Sequence, residues 1–150
     1  MITFHTLNHV NQKEAQYLSV CESQKHWIET FNQILLDQIN RAYDIDWHIQ
    51  LIYFNDVLIG YFMYGINPNQ DLWLDRFMID CKHQNKGYGF LALNHLITYF
   101  SNTYPHIKNL YLSIKPNHII AIKLYEKIGF IKTNHLDGDE IVYVKKIHQR

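Results

Sequence analysis

Two β-rich runs, residues 48–54 and 57–65, are separated only by Asn55 and Asp56. A two-residue connection between runs rich in Ile, Tyr and Phe is a hairpin signal, because Asn and Asp tolerate the left-handed backbone of a tight β-turn. A second turn, Asn67-Pro68-Asn69-Gln70, leads into a third run over residues 72–79. Three strands joined by short turns predict an antiparallel meander, and the remaining elements must be arranged around it.

Residues 2–7 predict a short first strand. Between residues 12 and about 43 the pattern is helical, with Ile28, Phe31, Leu35, Ile39 and Ala42 at three- or four-residue spacing. That stretch is long for one helix in a chain of this size, so two helices are expected. After the meander come a loop over 80–86 and a helix with the apolar stripe Ala92, Leu93, Leu96, Ile97 and Phe100. Leu110, Leu112 and Ile114 alternate as a strand. Pro116-Asn117 opens another helix, striped by Ala121, Leu124, Tyr125 and Ile128 and closed by Gly129. Residues 130–133 and 141–147 supply the last strands, flanking the turn Asp137-Gly138-Asp139. The order predicts an α/β (α+β) layer structure: a mainly antiparallel mixed sheet of about six to seven strands, flanked by about four helices. With 150 residues, 47% of them hydrophobic, the chain reads as a single domain over 1–150.

Lys+Arg and Asp+Glu each number 14. With no basic field to gather phosphate backbones, nucleic acid is not the expected partner. The N-terminus lacks an apolar signal core and no long apolar run occurs, so the reading is cytoplasmic, with no membrane partner. Cys21 and Cys81 lie far apart, form no C-x-x-C and are compatible with a reducing compartment. His5 and His9, the close pair among ten histidines, would be about 13 Å apart along a strand, too far for one metal ion. No H-E-x-x-H, Cys/His ligand set or G-x-S-x-G elbow appears, so neither a metal nor a serine nucleophile is expected.

The segment Gln84-Asn85-Lys86-Gly87-Tyr88-Gly89 lies between a strand and a helix. Alternate glycines let the backbone turn sharply and bring N–H groups close to a ligand. The first N–H groups of the following helix are unpaired and sit at the positive end of its dipole, where a pyrophosphate fits. A Gly-rich cap that binds nothing is the alternative. A Walker loop is absent. The dinucleotide fingerprint is formally matched by Gly87, Gly89 and Ala92. It should, however, follow its strand at once and be answered by an acid about 20 residues on, and here the next strand runs into Lys115-Pro116-Asn117.

The chain resembles the GCN5-related N-acetyltransferase (GNAT) superfamily. Its pyrophosphate motif [QR]-x-x-G-x-[GA] is met by Gln84, Gly87 and Gly89. Its later signature is met by Ala121, by Leu124-Tyr125-Glu126 and by Gly129-Phe130. The resemblance covers the whole chain and implies the GNAT fold, acetyl-CoA as acyl donor, an amine acceptor and a homodimer. It implies that a splayed strand end, Phe77, Met78 and Ile79, pairs with pantetheine. Gln84, Asn85, Lys86, Gly87, Tyr88 and Gly89 would hold the pyrophosphate. Ala121 would contact the cofactor, together with His118 or its neighbour Asn117, since the family's usual Asn is replaced by His118. Residues 72–80, the following G-Y-G and Gly138-Asp139-Glu140 look like the polyamine (spermine/spermidine, diamine) acetyltransferase branch.

The resemblance puts the Tyr125 hydroxyl near the coenzyme sulfur as general acid; read alone, Tyr125 is a core tyrosine on its helix stripe. Asp75 aligns with a carboxylate that acts as base or orients the amine, the alternative being an ion pair with Arg76. Asp137, Asp139 and Glu140 could attract a polycation. The expected activity is acetyl transfer to a small amine, with a polyamine as the leading acceptor. Protein N-termini, amino acids and aminoglycosides are the other acceptors, and a non-catalytic acyl-CoA sensor is the competing class.

Overall fold

The computed structural model describes residues 1–19 and 45–148. Its first strand, β1 (Ile2–Thr6), is followed by a single helical turn, α1 (Gln12–Ala15), and by β2 (Asp46–Phe54) and β3 (Val57–Ile66). The rest of the helical prediction, residues 20–43, lies outside the described residues. β4 (Leu72–Ile79) runs through a short 3-10 turn (Cys81–His83) into helix α2 (Tyr88–Thr103). Then come β5 (Asn109–Ile114), helix α3 (Ile119–Ile128), β6 (Ile131–Asp137) and β7 (Glu140–Lys146). The described residues thus hold seven strands and three helices, against about four helices expected.

The strands form one sheet in the order β1-β2-β3-β4-β5-β7-β6. All neighbours are antiparallel except β4 and β5. Asn55 and Asp56 turn the first hairpin with φ of 48° and 68°, the left-handed backbone their side chains tolerate. β6 runs four residues past the predicted Thr133. The Thr133 hydroxyl donates to the Val142 carbonyl at 2.7 Å where the register slips between Lys132 and Leu136, so a side chain bridges the gap and the strand continues.

Both faces of the sheet are covered, which is why β3 is buried almost throughout. On one face Ala92, Leu93, Leu96 and Phe100 of α2 are fully buried against Phe62, Leu72 and Leu110. Ala121, Leu124 and Tyr125 of α3 pack on the same side. On the other face Ala15 and Leu18 pack with Trp47, Leu51, Met63 and Met78. Gly60 lies opposite Ile79, and a methyl group there would drive into the Met78 carbonyl oxygen. The β3–β4 ladder therefore closes tightly just before the glycine loop.

The one parallel contact decides the architecture of the site. β4 and β5 pair only through Leu72 with Leu110 and Trp73 with Tyr111. Beyond them the strands part, leaving one edge of β4 open from Leu74 to Ile79. The β4 ladder to β3 is also bulged: Met63 pairs with Arg76 and Tyr64 with Leu74, so Asp75 is the extra residue.

Candidate active site

At the wide end of the β4–β5 cleft the chain is pinned before it turns. The Asp80 N–H donates to the Ile59 carbonyl at 2.7 Å, which directs Asp80 toward β3. Strand alternation then points the peptide groups of Phe77 and Ile79 into the cleft and those of Met78 at β3, where the Met78 carbonyl meets Gly60. Of the three residues expected to offer free backbone, Phe77 and Ile79 face outward and Met78 does not. Met78 instead buries its side chain on the α1 face.

Gln84 acts within the loop. Its side-chain amide donates to the Ile79 carbonyl at 2.8 Å, tying the loop back to the strand it leaves. Asp80, only 4% exposed, accepts the Ser19 N–H at 2.8 Å, and the Cys81 N–H donates to the Ser19 carbonyl at 2.7 Å. Cys81 is not a free thiol. This stitch between the N-terminal segment and the head of the loop carries no sequence signal, since Ser19 and Asp80 are 61 residues apart.

Asn85 (φ 61°) and Gly87 (φ 81°) then take the left-handed turns that start α2. Gly87 is the N-cap, with no side-chain cap hydrogen bond and no atom within 4 Å of where a β-carbon would stand. The helix's leading amides emerge at an exposed turn of Asn85, Lys86 and Gly87. Gly89 faces the cleft: a methyl group there would meet Leu124 at 3.5 Å and Ile79 at 3.9 Å. The Tyr88 ring turns instead toward Phe54, 4.7 Å between centroids, and His83. Only its backbone is left for the loop.

α3 borders the cleft on the helix side. It is closed by Gly129 (φ 115°), whose N–H and that of Phe130 bond to the Tyr125 carbonyl. Tyr125 meets the buried Phe130 edge-to-face at 5.5 Å. The residue is half-buried, and desolvation by its surroundings raises its pKa above the ordinary phenol value. At neutral pH it is a proton and hydrogen-bond donor. His118 caps the start of α3 and is half-buried, while Asn117 is exposed in the turn before it. Ala121 is half-buried against the main core.

Asp75 and Arg76 form the ion pair that the sequence left open, with Arg76 Nη1 to Asp75 Oδ2 at 2.7 Å. Both are largely covered, at 18% and 22% side-chain exposure. At the β6–β7 turn the Ser113 hydroxyl lies 2.9 Å from Glu140 and 3.1 Å from Asp137. One hydroxyl proton serves one carboxylate at a time, so the structure gathers Asp137 and Glu140 while Asp139 stays exposed in the turn. Among the described residues no three His, Cys, Asp or Glu side chains converge as a metal set.

The chain is 40% identical over 104 residues to the spermine/spermidine N(1)-acetyltransferase of Bacillus subtilis (strain 168), covering 64% of this chain and 68% of that protein. The crystal structure of spermidine N-acetyltransferase from Vibrio cholerae in complex with CoA and spermine superposes with a TM-score of 0.73 at 19% identity, over 97% of this chain and 95% of that one. The ribosomal-protein-S18-alanine N-acetyltransferase of Escherichia coli gives 0.72 at 19%, over 100% and 96%. At those identities the two structures speak for the fold alone. Residues 11–130 match the model of the acetyltransferase (GNAT) family, and on that span, with the Bacillus relative beside it, the chain belongs to that family.

Proposed function

We propose that this chain transfers the acetyl group of acetyl-CoA to a primary amine of a small aliphatic polyamine, with spermidine or spermine as acceptor. One observation carries the reading: β4 and β5 separate after Trp73 and Tyr111, with the glycine turn at the wide end and Tyr125 beside the gap. The spermine/spermidine acetyltransferase relative supports the acceptor class, and the family likeness supports a cytoplasmic homodimer.

The residues present fit the cofactor. Asn85, Lys86, Gly87 and the amides of Tyr88 and Gly89 receive the pyrophosphate at the positive end of α2. Gln84 fixes the loop that does so. Phe77 presents its backbone N–H and carbonyl, and Ile79 its N–H, to pantetheine as an added strand would, the Ile79 carbonyl being taken by Gln84. Ala121 and His118 flank it from α3, with His118 taking the role of the family's Asn because it, and not Asn117, sits at the helix cap.

A primary amine of pKa about 10.4 must lose a proton before it attacks, which costs roughly 4–5 kcal/mol at pH 7. Asp75, held by Arg76, orients the ammonium as it arrives, and a water carries the proton away. The amine nitrogen bonds to the thioester carbon as the C–S bond breaks, and the departing thiolate takes the proton of the Tyr125 hydroxyl, which recovers one from water. Because burial raises that phenol's pKa, tyrosinate is unfavourable and its proton is promptly regained. Glu140 and Asp137 offer negative charge to the distal end of a polycation, with Asp139 at the rim.

Release of free thiol from acetyl-CoA across a panel of amines tests this. Turnover that favours polyamines over amino acids and peptide N-termini is expected. Acetyl-CoA binding without thiol release for any amine would leave an acyl-CoA sensor as the reading.

A further inference from the structure

β4 and β5 grip each other at two register pairs and then separate. Leu72 and Leu110, the first pair, are buried under the helices α2 and α3. Trp73 and Tyr111, the second pair, point to the opposite face, where Trp73 packs against the α1 cluster. Their rings stack at 5.2 Å between centroids with planes 25° apart, and both keep part of their surface in solvent. A pair of aromatic rings thus floors the apex of the cleft on the side away from the cofactor loop. Asp75, the bulged residue, stands two positions along β4.

The reach of the cofactor makes that position matter. Pantetheine, built of pantoate, β-alanine and cysteamine, spans about four to five extended residues. Measured down β4 from Ile79, its sulfur arrives beside Leu74 or Asp75, next to the ring pair. The arm itself fills the cleft and α2 and α3 cover one face, whereas on the other face the α1 cluster leaves Trp73 and Tyr111 partly in solvent, so an incoming amine reaches the apex past that ring pair. Aromatic faces attract alkylammonium groups and their apolar area accepts methylenes, whereas they offer an acidic acceptor nothing.

We propose that the Trp73–Tyr111 ring pair determines acceptor specificity, holding the methylene-and-ammonium body of an aliphatic polyamine against the apex of the β4–β5 cleft. This rests on the acetyl-transfer reading above and adds the residues that select its acceptor. The test compares wild type with Trp73→Leu, Trp73→Phe and Tyr111→Leu, using thiol release with spermidine for KM and kcat and calorimetry for acetyl-CoA affinity. Each leucine variant is expected to raise the spermidine KM on the order of tenfold. kcat should stay within about threefold and acetyl-CoA Kd within about twofold, the signature of lost uniform acceptor binding. Trp73→Phe should recover most of the loss, because a π face is restored.

An unchanged spermidine KM in the leucine variants overturns the proposal. So does an acetyl-CoA Kd that moves as far as the KM, since the rings would then merely pin the strands. If Trp73→Leu does not fold, Tyr111→Leu alone decides between these results. Failure of the acetyl-transfer reading shows earlier and separately, as wild-type protein that binds acetyl-CoA and releases no thiol.

Discussion

Gly87→Ala isolates the turn proposed to bind the cofactor. Gly87 has φ of 81° and no atom within 4 Å of where a β-carbon would stand, so no neighbour must move. The penalty is torsional: an L-residue in the left-handed region costs roughly 1–2 kcal/mol. Alanine also restricts the unfolded chain, which returns about 0.4–1 kcal/mol. The net loss is about 1 kcal/mol, or a fall in Tm of roughly 2–4 °C for a domain of this size. Thermal unfolding of the cofactor-free protein measures it. Acetyl-CoA affinity should fall at least tenfold by calorimetry, because backbone relaxation away from φ of 81° swings the leading amides of α2 out of line. Gly87→Asn, which tolerates the left-handed region, should lose less of both. Alanine as stable as wild type would refute the torsional reasoning. A destabilised variant with unchanged acetyl-CoA affinity would refute the assignment of the loop.

Gly60→Ala should destabilise by at least about 3 kcal/mol in urea, since the new methyl meets the Met78 carbonyl within a central ladder; a near-neutral change would mean that β3 and β4 can spread. Tyr125→Phe should lower kcat on the order of a hundredfold with acetyl-CoA Kd within about twofold, and parallel losses in both would defeat the donor role. Burial raises the Tyr125 pKa, so the phenol stays protonated and kcat should show no alkaline limb below about pH 10; a limb near pH 9 that vanishes in Tyr125→Phe would contradict this. Glu140→Gln should raise the KM for spermine more than that for a monoamine and weaken its salt dependence, whereas equal shifts would exclude a distal ammonium contact.

Local features account for what was legible. Asn55-Asp56, Gly87 and Gly129 each sit where the backbone needs a positive φ, so turn, cap and stop could be read from residue type. The stripes of α2 and α3 and the limits of β4 follow from periodicity, which neighbouring residues set among themselves. The donor role proposed for Tyr125 comes only through its motif, since its stripe alone reads as core. Gln84 stands out in the sequence only by its motif, whereas its bond to the Ile79 carbonyl belongs to the folded turn. Residues 20–43, where helices were expected, lie outside the described structure.

Pattern and turn chemistry alone determined an antiparallel meander and a glycine turn opening a helix, because each depends on interactions a few residues long. Tertiary structure decided where β4 leaves β5, that Asp75 bulges into a bond with Arg76, that Ser19 clasps Asp80, and that Trp73 stacks on Tyr111. Except for the adjacent Asp75–Arg76 pair, these contacts join residues tens of positions apart. Their energy exists only once the sheet has brought the segments together, so no local pattern records them.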